Sequence, residues 1–338
     1  MTKRNQILIV ILGLQILLAV YLFWPASKNS QGSSKALFPG IKAEEITELV
    51  IEDGEKKSIQ MQRKNGEWVI PTYGEYPADQ GKISSFLKKI VALETKPLVA
   101  RKQSSHRRLK VSADEYQRLI HFKSGEKGGL QSLYLGTSPS YKKTHVRAGS
   151  RDEVYLAKNF SIWEAGVEPS AWIDTLYFSV DEKNVVRISI KNTHGTIDVV
   201  RGSQNEWILK GIKPGAIFNT EEWRKMFRKA ISIRMDEPLG REGLPSYGLK
   251  EPQAVLTIIT EVASEPQDDS QKENNRREKE PEKVQKTHTI CIGARDKEKG
   301  YTVKSSESPF FVRVSDYAVE PFVKKRMEDL TKKKEAHE

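Results

Sequence analysis

The first pattern along the chain is a run with no alternation at all. Residues 7–24, ILIVILGLQILLAVYLFW, carry no charge over 18 positions. At 1.5 Å per residue a helix of that length spans about 27 Å, close to the roughly 30 Å of bilayer hydrocarbon. Gln15 is its one strongly polar side chain, Tyr21 and Trp24 stand at one end, and Lys3 and Arg4 precede it. Interfacial aromatics and preceding cations of this kind predict a single-pass helix with the N-terminus inside the cell. A cleaved signal peptide is the rival reading. The apolar stretch exceeds a usual signal core, however, and Pro25-Ala26-Ser27 makes a poor cleavage site. A buried core helix fits worse, because the segment is apolar on every face. Residues 25–40, rich in Ser, Gly, Pro and Lys, read as a flexible linker.

Beyond residue 40 the pattern changes to short strands and amphipathic helices, and it repeats. Ile46-Thr47-Glu48-Leu49-Val50-Ile51-Glu52 recurs 139 positions later as Val185-Val186-Arg187-Ile188-Ser189-Ile190-Lys191. Gly66-Glu67-Trp68-Val69-Ile70 recurs at the same offset as Asn205-Glu206-Trp207-Ile208-Leu209. Ala78 to Leu98 matches Asn219 to Leu239 at an offset of 141, and Leu133-Tyr134-Leu135-Gly136 answers Ile290-Cys291-Ile292-Gly293 at 157. The offset grows because of residues 264–287, a densely charged tract with Val284 as its one sizeable aliphatic. Such a tract cannot offset its ordering entropy by burial and reads as a disordered insertion.

Four blocks in one order predict a duplication. Each copy opens with a strand (46–52 in the first) and a second strand with the alternation Ser58-Ile59-Gln60-Met61-Gln62. A helix follows at 79–93, with Ile83, Phe86, Leu87, Ile90 and Leu93 at helical spacing and Asp79 as N-cap, and its counterpart is expected at 220–234. Strands near 115–122, 131–136, 144–148 and 153–157 complete the first copy. Short connections favour antiparallel neighbours. The expected class is α+β: a transmembrane helix, then two tandem similar units at 41–178 and 179–330 with mainly antiparallel sheets, and a charged tail at 331–338.

Composition narrows this picture only a little. With 37% hydrophobic and 30% charged side chains among 338 residues, the chain is no polytopic membrane protein. The formal net charge of +11 favours anionic partners without choosing among them. The single cysteine, Cys291, cannot form an intrachain disulfide or a multi-cysteine zinc site, and its apolar neighbours suggest a small buried strand residue.

The ordered elements Gly66-Glu67-Trp68 with Pro71, Leu135-Gly136, Val146-Arg147, Val154-Tyr155-Leu156, Trp172 to Leu176, and Tyr247-Gly248-Leu249-Lys250-Glu251-Pro252 together resemble the bacterial family catalogued as domain of unknown function 4340. The resemblance covers roughly residues 41–330. It implies an N-terminal membrane helix, an extracytoplasmic repeat region, and association with ABC-type export or gliding-motility-like permease systems. No catalytic residues are established for that family. The chain departs from the pattern where Arg107-Arg108-Leu109-Lys110 stands opposite Tyr247-Gly248-Leu249-Lys250.

Residue by residue, little points to catalysis. Ser85-x-x-Lys88 and Ser140-x-x-Lys143 have serine–lysine spacing, but the companion elements of such enzymes are missing from the sequence. The histidines at 106, 121, 145, 194, 288 and 337 lack metal-site spacing. Gly125-Glu126-Lys127-Gly128-Gly129 reads as a hairpin turn, since no helix start follows it. The expectation is therefore no catalytic, cofactor or metal site. Trp68 and Trp207 invite a ligand-stacking reading, yet one core ring per copy explains both. The tract 96–110 carries Lys96, Arg101, Lys102, Arg107, Arg108 and Lys110 without an acidic residue. It is either a solvated loop or a docking patch for lipid headgroups or an acidic protein.

The functional expectation is a non-catalytic, membrane-anchored accessory or binding subunit of an ABC-type transport or envelope-assembly complex. The bulk of the chain would lie in the periplasm or at the cell exterior, with no nucleic-acid partner. A stand-alone envelope protein binding peptidoglycan or an anionic polymer is the alternative, and an envelope hydrolase a further one.

Overall fold

Local sequence dictates the opening meander. In the computed structural model, which describes residues 12–15, 34–125, 129–263, 283–297 and 299–333, β1 (Ile46–Asp53) turns into β2 (Ser58–Lys64). The turn is held by the Asp53 carboxylate, which accepts the amide N–H groups of Glu55 (2.9 Å) and Lys57 (3.0 Å). Asn65 and Gly66 both take positive φ (52° and 89°), as a two-residue primed turn requires, and lead into β3 (Glu67–Ile70). The alternation predicted for β2 holds, with Ile59 and Met61 buried. After β4 (Tyr76–Pro77), the Asp79 carboxylate caps α1 (Gln80–Val91) by accepting the Lys82 N–H at 3.0 Å. Ile83, Phe86, Leu87 and Ile90 on the helix, and Leu93 beyond it, are all buried.

Next come β5 (Leu98–Ala100), β6 (Arg118–Ser124), β7 (Leu130–Leu135), β8 (Lys143–Ala148) and β9 (Val154–Lys158). The first sheet has nine strands in the order β4-β3-β2-β1-β6-β7-β8-β9-β5, every pair antiparallel. The second half contributes β10 (Leu176–Ser179), β11 (Val185–Asn192), β12 (Gly195–Arg201), β13 (Trp207–Leu209), β14 (Ala216–Phe218), α2 (Thr220–Ile231), β15 (Ser232–Arg234) and β16 (Glu237–Gly240). It continues through β17 (Ala254–Ala263), β18 (Lys283–Asp296), β19 (Gly300–Ser305), β20 (Phe311–Val314), α3 (Asp316–Lys324) and β21 (Thr331–Lys333). Its main sheet, also antiparallel, runs β13-β12-β11-β17-β18-β19-β20-β16, beside small pairs β10-β15 and β14-β21. The class is α+β and sheet-rich.

One hydrophobic core runs through both halves. Near their junction the Tyr177 hydroxyl on β10 accepts the Ser305 N–H and donates to the Phe310 carbonyl, both at 2.8 Å. The Tyr76 and Phe310 rings meet at 4.6 Å.

Several expectations need correction. The segment read as a linker to residue 40 is drawn into the fold from Ser34. Leu37 and Phe38 are buried, Phe38 stands edge-on to Phe122 at 5.1 Å, and the Leu37 N–H bonds the Leu93 carbonyl at 2.7 Å. The second helix stops at Ile231 rather than 234, because residues 232–234 pair with β10. That pairing also crosses the expected boundary at 178/179. Of the tract 264–287, residues 283–287 belong to β18 and pair with residues 259–263. Backbone pairing asks no apolar content, and the flanking side chains compensate in polar coin: Gln285 bonds Glu261 at 2.7 Å and Lys286 bonds Glu307 at 2.8 Å. The charged tail likewise contributes its first three residues to β21.

The rest of the tract, 264–282, lies outside the described residues, as do His337 and residues 126–128 of the glycine-rich turn. The expected spanning helix at 7–24 does too, apart from residues 12–15, which are helical. Among the described residues no helix is long and apolar enough to cross a membrane. Trp68 is a core ring, 5% exposed. Trp207 is only half-buried and packs on Trp223 and Phe227 at ring distances of 5.7 and 5.0 Å.

Candidate functional site

The six cations of the candidate patch are all exposed, and the fold places three of them, Lys96, Arg101 and Arg107, in two depressions. The first is a groove of about 820 Å³. Its floor arises where the chain leaves α1: β5 pairs with β9 through Leu98 and Tyr155, and the Leu156 N–H bonds the Pro97 carbonyl at 3.0 Å. This register brings Lys96 and Arg101 beside Arg151, which precedes β9, and Lys158, its last residue. The remaining wall comes from the first described residues after the apolar run. Ala36 bridges to Glu94, Thr95 donates its N–H to the Lys35 carbonyl at 2.9 Å, and Ser34 donates its hydroxyl to Glu94 at 2.9 Å. Lys35, Lys96, Arg101, Arg151 and Lys158 thus face Glu94 and Glu153, five cations against two carboxylates. Such a groove is suited to an anionic group and carries no evident nucleophile–base pair.

The second depression, of about 610 Å³, takes Arg107. Arg107 is ion-paired to Asp114, whose carboxyl it holds down at about 2, and Glu115 lies 3.8 Å away. The carboxylate keeps this pair above the ordinary acid range and loses it only as pH falls towards about 2. Both partners are exposed, so the pair positions the loop more than it stabilises the fold. Behind it Arg147 is buried, stacked over Tyr134 at 4.3 Å, and donates to the carbonyls of Val111 (2.7 Å) and Arg151 (3.1 Å). Burial lowers its guanidinium pKa. His106, also buried, contacts the Asp152 carbonyl at 2.7 Å. Lys102, Arg108 and Lys110 line neither depression.

The other sequence candidates stay apart from any such chemistry. Ser85 and Lys88 lie on the exposed face of α1, and Ser140 meets Lys143 through the backbone. His145 contacts the Thr137 hydroxyl at 2.9 Å, and burial lowers its pKa. His288 sits between Thr260 and Glu307, each at 3.1 Å. Cys291 is half-buried on β18, where burial raises its thiol pKa and so disfavours the reactive thiolate. Among the described residues no cluster of three or more His, Cys, Asp or Glu is placed to hold a metal.

Sequence reasoning found Lys96 and Arg101 but missed Lys35, Arg151 and Lys158. No local run announces those three; they join the groove only through the β5–β9 pairing and the bridge at Ala36. The available hint was that Arg151 and Lys158 bracket the predicted strand at 153–157.

Residues 68–227 match the model of a family described as Domain of unknown function (DUF4340). That span starts on β3 and ends in α2, so it reaches from the first sheet into the second half. No curated protein and no solved structure matches the chain.

Proposed function

We propose, from the match of residues 68–227 to the DUF4340 family, that the chain is a non-catalytic accessory or binding subunit of an ABC-type transport or envelope-assembly complex. It is anchored by residues 7–24 and works on the extracytoplasmic side. The observation that carries the anchoring is the uncharged run itself, 18 residues long and preceded by Lys3 and Arg4. The permease partner rests on the family resemblance, a warrant by association.

The region after the anchor is proposed to be two repeated units. In support, the orders β3-β2-β1-β6-β7-β8-β9-β5 and β13-β12-β11-β17-β18-β19-β20-β16 run alike position by position. Each unit has its long helix between the opening meander and the edge strand. A doubled, sheet-rich body with open depressions offers surface for binding rather than a closed reaction chamber.

Affinity purification of the full chain in mild detergent tests the partner. A permease and its ATPase should co-purify in fixed ratio. Recovery with the cell-wall fraction, free of permease subunits, would favour the stand-alone polymer-binding protein instead.

A further inference from the structure

We propose that the end of the first sheet bearing the groove lies on the bilayer surface, with two exposed aromatic rings at headgroup level and the groove cations on anionic phospholipid headgroups. The inference rests on the anchored reading above and adds how the body is held against its membrane.

Three observations converge on this face. Trp163 is 83% exposed and Tyr141 is 85% exposed, although both are large rings that a folded chain ordinarily hides in part. They belong to neighbouring loops: the Phe160 N–H bonds the Lys142 carbonyl at 3.3 Å, and Lys143 pairs with Lys158 across β8 and β9. Lys142 stands over the Tyr141 ring at 5.3 Å, and Lys158 also lines the basic groove. Aromatic rings beside lysines suit the bilayer interface, where the ring takes the apolar side and the ammonium reaches the phosphates.

The chain's root lies at the same end. Glu164, next to Trp163, is ion-paired with Lys89 in the last turn of α1. Just past that turn, Ser34 and Ala36 fasten onto Glu94. The apolar run ends at Trp24, ten residues before Ser34. Fully extended, ten residues reach no more than about 36 Å. The anchor therefore keeps the groove close to the bilayer it enters, and the high effective concentration of a short tether makes weak headgroup contacts count. Charge complementarity chooses the occupant: the groove's cations outnumber its carboxylates five to two.

The test uses the full chain in phosphatidylcholine vesicles with and without phosphatidylglycerol. A Cys291→Ser, Ser140→Cys background carries a fluorophore beside Tyr141, and nitroxide-labelled lipid quenches it when the surface is docked. Quenching should be strong with phosphatidylglycerol and weak without it. Each basic residue near such a surface contributes about fivefold in the docked-to-undocked ratio. Reversing Lys96, Arg101 and Lys158 together to Glu should therefore lower that ratio by at least about a hundredfold. Trp163→Ala should lower it independently, and circular dichroism should show each variant folded. Quenching that ignores lipid charge, or survives the triple reversal, overturns the proposal. Carbonate extraction separates its failure from that of the anchor. A chain that resists carbonate but stays unquenched loses the docking surface alone, whereas a chain that carbonate strips loses the anchor and the surface with it.

Discussion

Trp68→Ala is expected to cost about 3–5 kcal/mol of unfolding free energy, in the range for deleting a large aromatic ring from a packed core. Only 5% of Trp68 is exposed, and the surrounding backbone is held in place around it. Its N–H donates to the Gln80 side-chain carbonyl at 2.8 Å, while its own carbonyl accepts from Gln80 Nε2 at 3.0 Å and from the Ala78 N–H at 2.9 Å. A site pinned by α1 on one side and β4 on the other cannot collapse into the space the ring leaves. Urea denaturation monitored by circular dichroism reads the difference. A loss below about 1 kcal/mol would mean the ring is dispensable to packing and would revive the ligand-stacking reading. Trp207→Ala should cost less, since that ring is already half-open to solvent.

Gly136→Ala should be nearly as disruptive for the opposite reason. A Cβ there would stand 2.0 Å from the Leu109 carbonyl oxygen, 2.6 Å from Val111 Cγ1 and 2.9 Å from the Lys110 carbonyl oxygen. Two of those neighbours are backbone, so the 109–111 segment must move as a whole. Overpacking of this kind costs about 1–3 kcal/mol and sometimes more. Gly293→Ala meets the same obstacle at the Tyr247 carbonyl, 2.1 Å away, and should behave alike. Gly129→Ala, whose nearest neighbour is 3.9 Å off, should be close to neutral. Comparable melting temperatures for all three variants would contradict the close approach. The Gly136 change should also shift the loop that carries Arg107, Arg108 and Lys110, because that loop rests on the glycine.

What could be read ahead of the structure follows a physical divide. α1 was legible because its apolar residues recur at helical spacing behind an aspartate placed to cap a helix start. The second strand was legible because its apolar–polar alternation is a local signal. Helix α2 was read three residues too long because its bounds were carried over from 79–93 by the repeat offset, and the tertiary partner β10 makes residues 232–234 a strand. Residues 283–287 were misread for the converse reason: their side chains are polar, while what orders them is a backbone ladder with residues 259–263. The groove was half visible. Lys96 and Arg101 stand in an evident basic tract, but Lys35, Arg151 and Lys158 come from two distant segments that the Ala36 bridge and the β5–β9 pairing bring to it.

Protease added to intact spheroplasts tests the central claim, an anchored chain with its body outside the cytoplasm, most directly. The region after residue 25 should be digested while a cytoplasmic marker survives, leaving a short membrane-embedded fragment. Digestion only after the membrane is lysed would place the body inside the cell and contradict the account.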